Sequence, residues 1–255
     1  MSKNAAFTMV KNEKWFLPLW LNYYSKFIDE HNLYILNHAS TDSSIEVCKK
    51  QFPKVNFIDI EYEPFDDIFK LTEVKKLQKW LFNDYDVVLY SDPDEFIVPF
   101  NHFNLTKYLN DFYESENGAI KCDGWELIHL PERNESEIDL TKSILKQRKY
   151  WFHSEKWYSK VLISKIPLDW SPGLHITNTK HYHDKSLKMI HLHRLDYNLS
   201  YLKNIYNTQF KRPPGMNLGA HSFITEPEEF HQHFWGIKDD SIEEIPESLI
   251  KTELF

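Results

Sequence analysis

Apolar positions in the first hundred residues fall into short continuous runs separated by segments of helical spacing. Ala5 to Val10 is an apolar-rich run ending in Lys11-Asn12-Glu13. Phe16, Leu19, Trp20, Tyr23, Tyr24 and Phe27 then recur every three or four residues, with Pro18 in the first turn, where its missing N–H costs nothing. Leu33 to Leu36 reads as a second strand running into Asn37-His38-Ala39-Ser40-Thr41-Asp42, and Ser43-x-x-Glu46 predicts a capping box opening a short helix through Cys48. Val55 to Ile60 is a third strand. Val74, Leu77, Trp80 and Leu81 line a helix face, and Val87 to Tyr90 is the fourth strand. The resulting βαβαβαβ order predicts an α/β fold built on a mostly parallel sheet flanked by helices.

Beyond residue 100 the pattern is less regular. Leu105 to Phe112 and Tyr201 to Phe210 read as helices, and Ala119 to Cys122, Lys160 to Ile166 and Met189 to His193 as strands. Glu132 to Asp139 reads as an acidic loop, and the tail from Glu226 onward shows no clear period. With 6 Gly, no internal repeat and no Pro/Gly/Ser-rich linker, a single domain over 1–255 is expected.

Ligands of open parallel sheets sit beyond the carboxyl ends of the strands. Three polar clusters fall there: Lys11-Asn12-Glu13, Ser40-Thr41-Asp42 and Asp92-Pro93-Asp94-Glu95. An isolated Asp-x-Asp is ordinarily an acidic turn. Directly after the buried run Val87–Tyr90, and on one rim with two other clusters, it becomes a place for a hard divalent cation. Mg²⁺ and Mn²⁺ take carboxylate oxygens together with substrate phosphates. A phosphorylated or nucleotide substrate is therefore expected.

The formal charge of -8, from 30 basic and 38 acidic residues, argues against nucleic acid as a partner. Only Cys48 and Cys122 are present, which excludes a disulfide framework and a four-Cys zinc site. No apolar run reaches the ~18–20 residues that span a bilayer, which leaves peripheral association as the one open form of membrane contact. With no signal-peptide pattern at the N-terminus, a cytoplasmic location is expected, and the sequons at Asn104, Asn134 and Asn198 are chance matches.

Val10-Lys11-Asn12-Glu13, Phe16 through Tyr24, Asn37 through Asp42 and Asp92-Pro93-Asp94-Glu95-Phe96, taken in order, resemble glycosyltransferase family 2. The likeness is to its Asp-x-Asp-Glu-Phe branch, which shades into family-92-like glycosyltransferases. It covers residues 5 to 100 and continues more loosely through Lys160, His175 and the stretch from His193 to Lys203. Asn37-His38 departs from the pattern at the base-contact position. The resemblance implies a GT-A fold, with 1–100 as the nucleotide-sugar-binding half and 101–255 as the acceptor-binding half. It also implies inverting transfer from a nucleoside-diphosphate sugar, UDP being the commonest nucleotide, to a hydroxyl of a glycan or similar acceptor, with Mn²⁺ or Mg²⁺. On that pattern Val10, Asn12, Glu13, Asp42, Asp92 and Lys160 lie at the donor. Asp94, with Asp92, holds the metal, and one late histidine, His175 or His193, completes its shell.

An inverting transfer needs a base for the acceptor hydroxyl. Asp123, beside Trp125, is the first candidate, with Glu126 and Asp184 as rivals. Two other readings stay open. His175, His181, His183, His191 and His193 crowd one region, and residues two apart on a strand share a face, a spacing that suits a zinc hydrolase. The string His181-Tyr182-His183-Asp184 falls short of the usual metal-binding run, however, and that reading leaves Asp92 and Asp94 unexplained. The third reading is a non-catalytic carbohydrate- or nucleotide-binding domain.

Overall fold

Strand β1 (Asn4–Val10) is buried at every position, with β2 (Leu33–His38) and β4 (Val87–Tyr90) paired parallel to its two edges and β3 (Asn56–Ile60) parallel to β2. Strands covered on both faces need continuous apolar runs rather than alternation, which is how β1 and β4 read. The computed structural model describes residues 1–62, 64–213, 224–252 and 255. The four strands follow the sequence expectation to within one or two residues at their ends.

Helices α1 (Leu17–Tyr24), α2 (Ser44–Gln51), α3 (Asp67–Leu81) and α4 (Leu105–Glu114) accompany this half. The aromatic face of α1 does more than fill the core. Trp20 Nε1 donates to Ser91 Oγ at 2.8 Å, and the Tyr23 and Tyr24 hydroxyls donate to the carbonyls of Ile97 and Glu95 at 2.7 and 3.2 Å. These bonds clamp the turn that follows β4. Helix α3 begins seven residues before the apolar face that predicts it, because Asp66 caps it by accepting from the N–H groups of Ile68 and Phe69 at 2.8 and 3.1 Å. The capping box at Ser43 and Glu46 does not form. Ser43 has a left-handed φ of 59° and makes no side-chain cap, and Asp42 instead accepts from the backbone N–H of Ser44 at 3.1 Å.

The second half is carried by two long strands. β6 (Ala119–Ile128) and β9 (Tyr182–Arg194) extend well past the short runs that mark them in the sequence, and they pair parallel to each other. Their apolar pattern is interrupted by Lys121, Asp123, Glu126, Lys188 and His191, of which Asp123 pairs with Lys188 and Glu126 with His191 across the sheet and Lys121 with Glu155 in the turn after β7. β8 (Val161–Ser164) joins β4 to β6 by antiparallel pairing, and β7 (Tyr150–His153) continues along the same edge of β6. β5 (Glu95–Pro99) lies antiparallel to β9, and β10 (Ile242–Glu244) to β7. The ten strands of the described residues belong to one sheet.

α5 (Ile144–Gln147), α6 (Tyr197–Thr208), α7 (Pro227–Trp235) and α8 (Glu247–Ile250) complete the described residues. Helix α7 lies in the tail whose periodicity is masked by charge; Phe230 and Phe234, four apart, bury their rings beside Tyr197. No helix among the described residues is long and apolar enough to cross a membrane.

Candidate active site

The carboxyl ends of β1, β2 and β4 meet on one rim. Asn12 (φ 57°), Ala39 (φ 47°) and Ser43 (φ 59°) take left-handed backbone conformations there, which is uncommon for residues other than glycine. The loops are tied together by side chain to backbone bonds. Asn12 Oδ1 accepts from Thr41 N–H at 2.7 Å, Asp42 Oδ2 from Lys14 N–H at 3.0 Å, and the Asn12 N–H donates to Ser40 Oγ at 3.0 Å. Asn12 and Asp42 therefore shape the rim, while the Val10 side chain is buried in the core and only its backbone approaches it.

Four carboxylates stand at this rim, each held by a basic side chain. Asp92 receives Lys70 at 2.7 Å, Tyr90 OH at 2.6 Å and Lys160 at 3.2 Å. Glu95 binds the same Lys160 at 2.5 Å. Lys203, from α6, bridges Asp94 at 3.0 Å and Glu13 at 3.1 Å. Burial opposes ionisation of every one of these groups. For Lys160 and Lys203 the adjoining carboxylates win and hold the ammonium protonated, and for Asp92 and Asp94 the lysines hold the carboxyl below its usual range. Glu13 goes the other way: burial, with the nearby Asp94 charge, raises its carboxyl to about 7 despite Lys203. Its Oε2 is buried without a hydrogen-bond partner.

Two devices of the fold deliver the lysines. The Cβ that any other residue would carry at Gly124 lies 2.1 Å from the Tyr158 backbone carbon, so only glycine lets the loop before Lys160 lie on β6. Helix α6 is anchored through Asp196, which caps it by accepting from Leu199 N–H at 3.0 Å and pairs with the fully buried Arg148 at 2.9 Å.

Of the late histidines, the structure sets His191 nearest the Asp-x-Asp turn. Its Nδ1 donates to Glu126 Oε2 at 2.6 Å and its Nε2 faces Asp94 Oδ1 at 3.8 Å. Although burial pulls its pKa down, Glu126 and Asp94 push it up to about 9. His193 stacks on His191 at 5.8 Å and feels the Asp94 charge. His175, exposed on a turn after β8, senses Lys160 and Asp92 without a hydrogen bond to either. The sequence singles out His175 and His193 and passes over His191, whose mark is its pairing with Glu126 on the adjacent strand. His181 is exposed and bonds the Thr179 carbonyl, and His183 lies by Asp123 and Glu155. The five histidines do not gather into one site.

Asp123 is not brought to the rim. Three positions from Glu126 along a regular stretch of β6, it faces the other side of the sheet. There it accepts from Lys188 at 2.7 Å, Trp125 Nε1 at 2.8 Å and His153 Nε2 at 2.9 Å. Asp184, its rival, binds Tyr108 OH at 2.7 Å. Lys70 and Lys203 are the site residues that motif reading misses; each is an ordinary helix-surface lysine until the fold turns it inward.

Among the described residues no three His, Cys, Asp or Glu side chains converge as a ready-made metal shell. The donor chemistry nonetheless fits a divalent cation at Asp94. A metal-binding imidazole usually has its Nδ1 fixed by a carboxylate and its Nε2 directed at the metal, and Glu126–His191–Asp94 has that form. A cation would have to displace the His191 Nε2 proton.

No protein-family model and no curated protein matches the chain. Solved structures do. Staphylococcus aureus TarS is 14% identical with a TM-score of 0.44, covering 91% of this chain and 47% of its own. The mannosyltransferase PcManGT of Pyrobaculum calidifontis, in complex with GDP-Man and Mn²⁺, is 10% identical with a TM-score of 0.47, covering 82% and 61%. Mycobacterium tuberculosis glucosyl-3-phosphoglycerate synthase, with Mn²⁺, UDP and glucosyl-3-phosphoglycerate, is 14% identical with a TM-score of 0.33, covering 48% and 44%. The chain spans roughly half the length of each, 47%, 61% and 44%. At such identities and TM-scores the likeness assigns no family, and function has to be read from the site.

Proposed function

We propose that this chain is a GT-A-type glycosyltransferase that takes a sugar from a nucleoside-diphosphate donor, UDP-linked by expectation, to a hydroxyl of a glycan or related acceptor. The observation that carries the reading is the convergence on one parallel-sheet rim of Asn12 and Glu13, Asp42, and Asp92 and Asp94, with Lys70, Lys160, Lys203 and His191 brought over them. A nucleoside diphosphate presents one end that needs polar loop contacts and another that needs cationic charge, and this rim offers both. Departure of the diphosphate builds negative charge, which preorganised cations stabilise.

Asp94 and His191 would hold a bound Mn²⁺ or Mg²⁺, with Asp92 taken up by Lys70, Lys160 and Tyr90. Such a cation supplies Lewis-acid stabilisation of the leaving diphosphate. Lys70 and Lys160 hold Asp92 ionised, and Lys160 fixes Glu95, whose carboxyl burial raises above its usual range, so that the rim is set before the donor arrives. The acceptor would approach over the β6–β9 face that carries Glu126 and His191 rather than the face that carries Asp123. Inversion is the stereochemistry that the likeness of residues 5 to 100 implies. A cavity of about 340 Å³ lined by Tyr197, Trp235, His231, Asn198 and Glu137 would be a place for the acceptor. Its Tyr197 and Trp235 rings lie 5.8 Å apart and nearly parallel. Aromatic faces flanked by polar groups suit a carbohydrate.

Calorimetry with UDP, GDP, CDP and dTDP, each with Mn²⁺ and with EDTA, tests the donor half of this proposal. One nucleotide should bind more tightly than the others and more tightly with Mn²⁺, and its sugar conjugates should be consumed when acceptors are supplied. Binding of none of the four, with or without metal, would leave the rim without this function.

A further inference from the structure

The cavity beside Trp235 differs from the rim in charge, construction and position. Among the described residues no lysine or arginine lines it, whereas Lys70, Lys160 and Lys203 stand at the rim. A diphosphate finds no counter-charge there, and a neutral ligand fits. The floor of the cavity is fixed in advance by two buried residues, His129 and Glu135. His129 Nδ1 accepts from Tyr197 N–H at 3.3 Å and its Nε2 donates to the Glu135 carbonyl at 3.1 Å. The Glu135 carboxylate accepts from the N–H groups of Leu130 and Lys149 at 2.8 and 2.7 Å. Walls already ordered spare a ligand the cost of ordering them. Two features remain for the ligand itself. The half-buried rings of Tyr197 and Trp235 offer a flat apolar face. Asn198 Nδ2 donates to Glu137 Oε1 at 2.6 Å, which leaves an amide oxygen and a carboxylate oxygen to accept from hydroxyls. An apolar face edged by acceptors matches a sugar ring, which has C–H groups on its face and hydroxyls at its edge.

Position decides how much of the acceptor this sugar can be. Tyr197 opens α6, and Lys203, which bonds Asp94, stands six residues later on the same helix. Six residues are about 9 Å along a helix axis and about 120° around it. A single sugar ring that presents a hydroxyl at Asp94 cannot also lie on Trp235. We infer that the cavity is a remote acceptor subsite holding a neutral sugar unit of a chain whose reacting end lies at the rim. The acceptor is then an oligosaccharide or polysaccharide rather than a monosaccharide, an assignment that rests on the reading of the rim as a nucleotide-sugar site. Two subsites gripping one chain act as linked contacts, so affinity should climb with length until the chain spans both.

The test probes an array of neutral and anionic saccharides, from monosaccharides to hexasaccharides, with the wild-type chain, Trp235→Ala and Asn198→Ala. Neutral oligosaccharides of one composition should bind the wild type, and the corresponding monosaccharide should bind about tenfold more weakly or worse. Trp235→Ala should weaken oligosaccharide binding about tenfold, the scale of one aromatic contact, and leave Mn²⁺-dependent UDP binding unchanged. Asn198→Ala, at an exposed position, should weaken it by a smaller factor and carries the test if Trp235→Ala does not fold. Any of four results would overturn the inference: no oligosaccharide bound, equal affinity for monosaccharide and oligomer, preference for anionic saccharides, or unchanged binding in the folded variants. Failure of the wild type to bind any nucleoside diphosphate would instead count against the function of the rim, while the array still decides the role of the cavity.

Discussion

The first half of the molecule supplies the rim carboxylates with one base, Lys70, and the second half supplies the other bases by different means. In residues 1–100 the acids lie within a few positions of buried strands, so each carboxylate is placed by the run that precedes it. In the second half the basic groups arrive from far along the chain. Lys160 reaches Glu95 across 65 residues and Lys203 reaches Asp94 across 109. A cluster of buried carboxylates without those partners would repel itself and take up protons. The first half therefore carries the recognisable motif, and the second half makes that motif chemically usable.

The comparison breaks most completely at Arg148, which serves only the second half. Its guanidinium is fully buried and bonds Asp196 at 2.9 Å and the Leu195 carbonyl at 2.5 Å. Arg148→Met should cost about 3–5 kcal/mol, because Asp196 is left as a buried unpaired charge and α6 loses its anchor. Urea denaturation reads the loss, and nucleotide affinity should fall with it as Lys203 is displaced. A stable variant with unchanged affinity would separate α6 from the site.

Asp94→Asn tests the first half. Transfer from the preferred nucleotide-sugar should drop about 10²–10³-fold, the scale of losing one preorganised charge at a reacting centre. The amide keeps the shape and can still accept from Lys203, so stability should change less than in Arg148→Met. Retained activity would move the reacting centre away from the Asp-x-Asp turn.

A smaller effect separates the halves by pH. His38, at the end of β2, is buried against the rings of Tyr62, Phe65 and Phe69, and burial followed by the Lys11 charge lowers its pKa from 6.5 to about 4. Between those values the unfolded chain binds the proton and the folded one does not. The contribution is complete above pH 6.5 and is lost as pH falls toward 4, by an amount up to about 3 kcal/mol. His38→Phe should flatten that part of the stability profile between pH 4 and 6.5; an unchanged acid limb would show that His38 titrates normally.

The smallest effects sharpen the comparison within the second half. His191→Ala should weaken Mn²⁺-dependent UDP binding about 10-fold or more. His193→Ala and His175→Ala should act less, and His181→Ala and His183→Ala should leave it unchanged, as titration calorimetry on the five variants would measure. A larger loss at His175 than at His191 would place the cation at Asp92 instead.

Much of the fold was legible because buried parallel strands require continuous apolar runs: Val87–Tyr90 matches β4 residue for residue. The long strands β6 and β9 were visible only in part, since Asp123, Glu126, Lys188 and His191 interrupt the pattern and become tolerable only when paired across the sheet. The carboxylates of the candidate site were legible for the same local reason that the strands were. Their partners were not: nothing around Lys70 distinguishes it from a solvated helix lysine, Lys203 is marked only as the end of a loosely resembling stretch, and Asp123 and Glu126 differ only in strand parity.

What this sequence determined by itself is the set of short-range features, namely the βαβ alternation and the strand-end acids. Those follow from steric and solvation rules that act within a few residues. The tertiary structure decided which histidine faces Asp94, which acid looks away from the rim, and which lysines neutralise it. Such choices depend on strand register and helix anchoring, because a charge is stabilised by groups within a few ångströms of it, however far along the chain they lie.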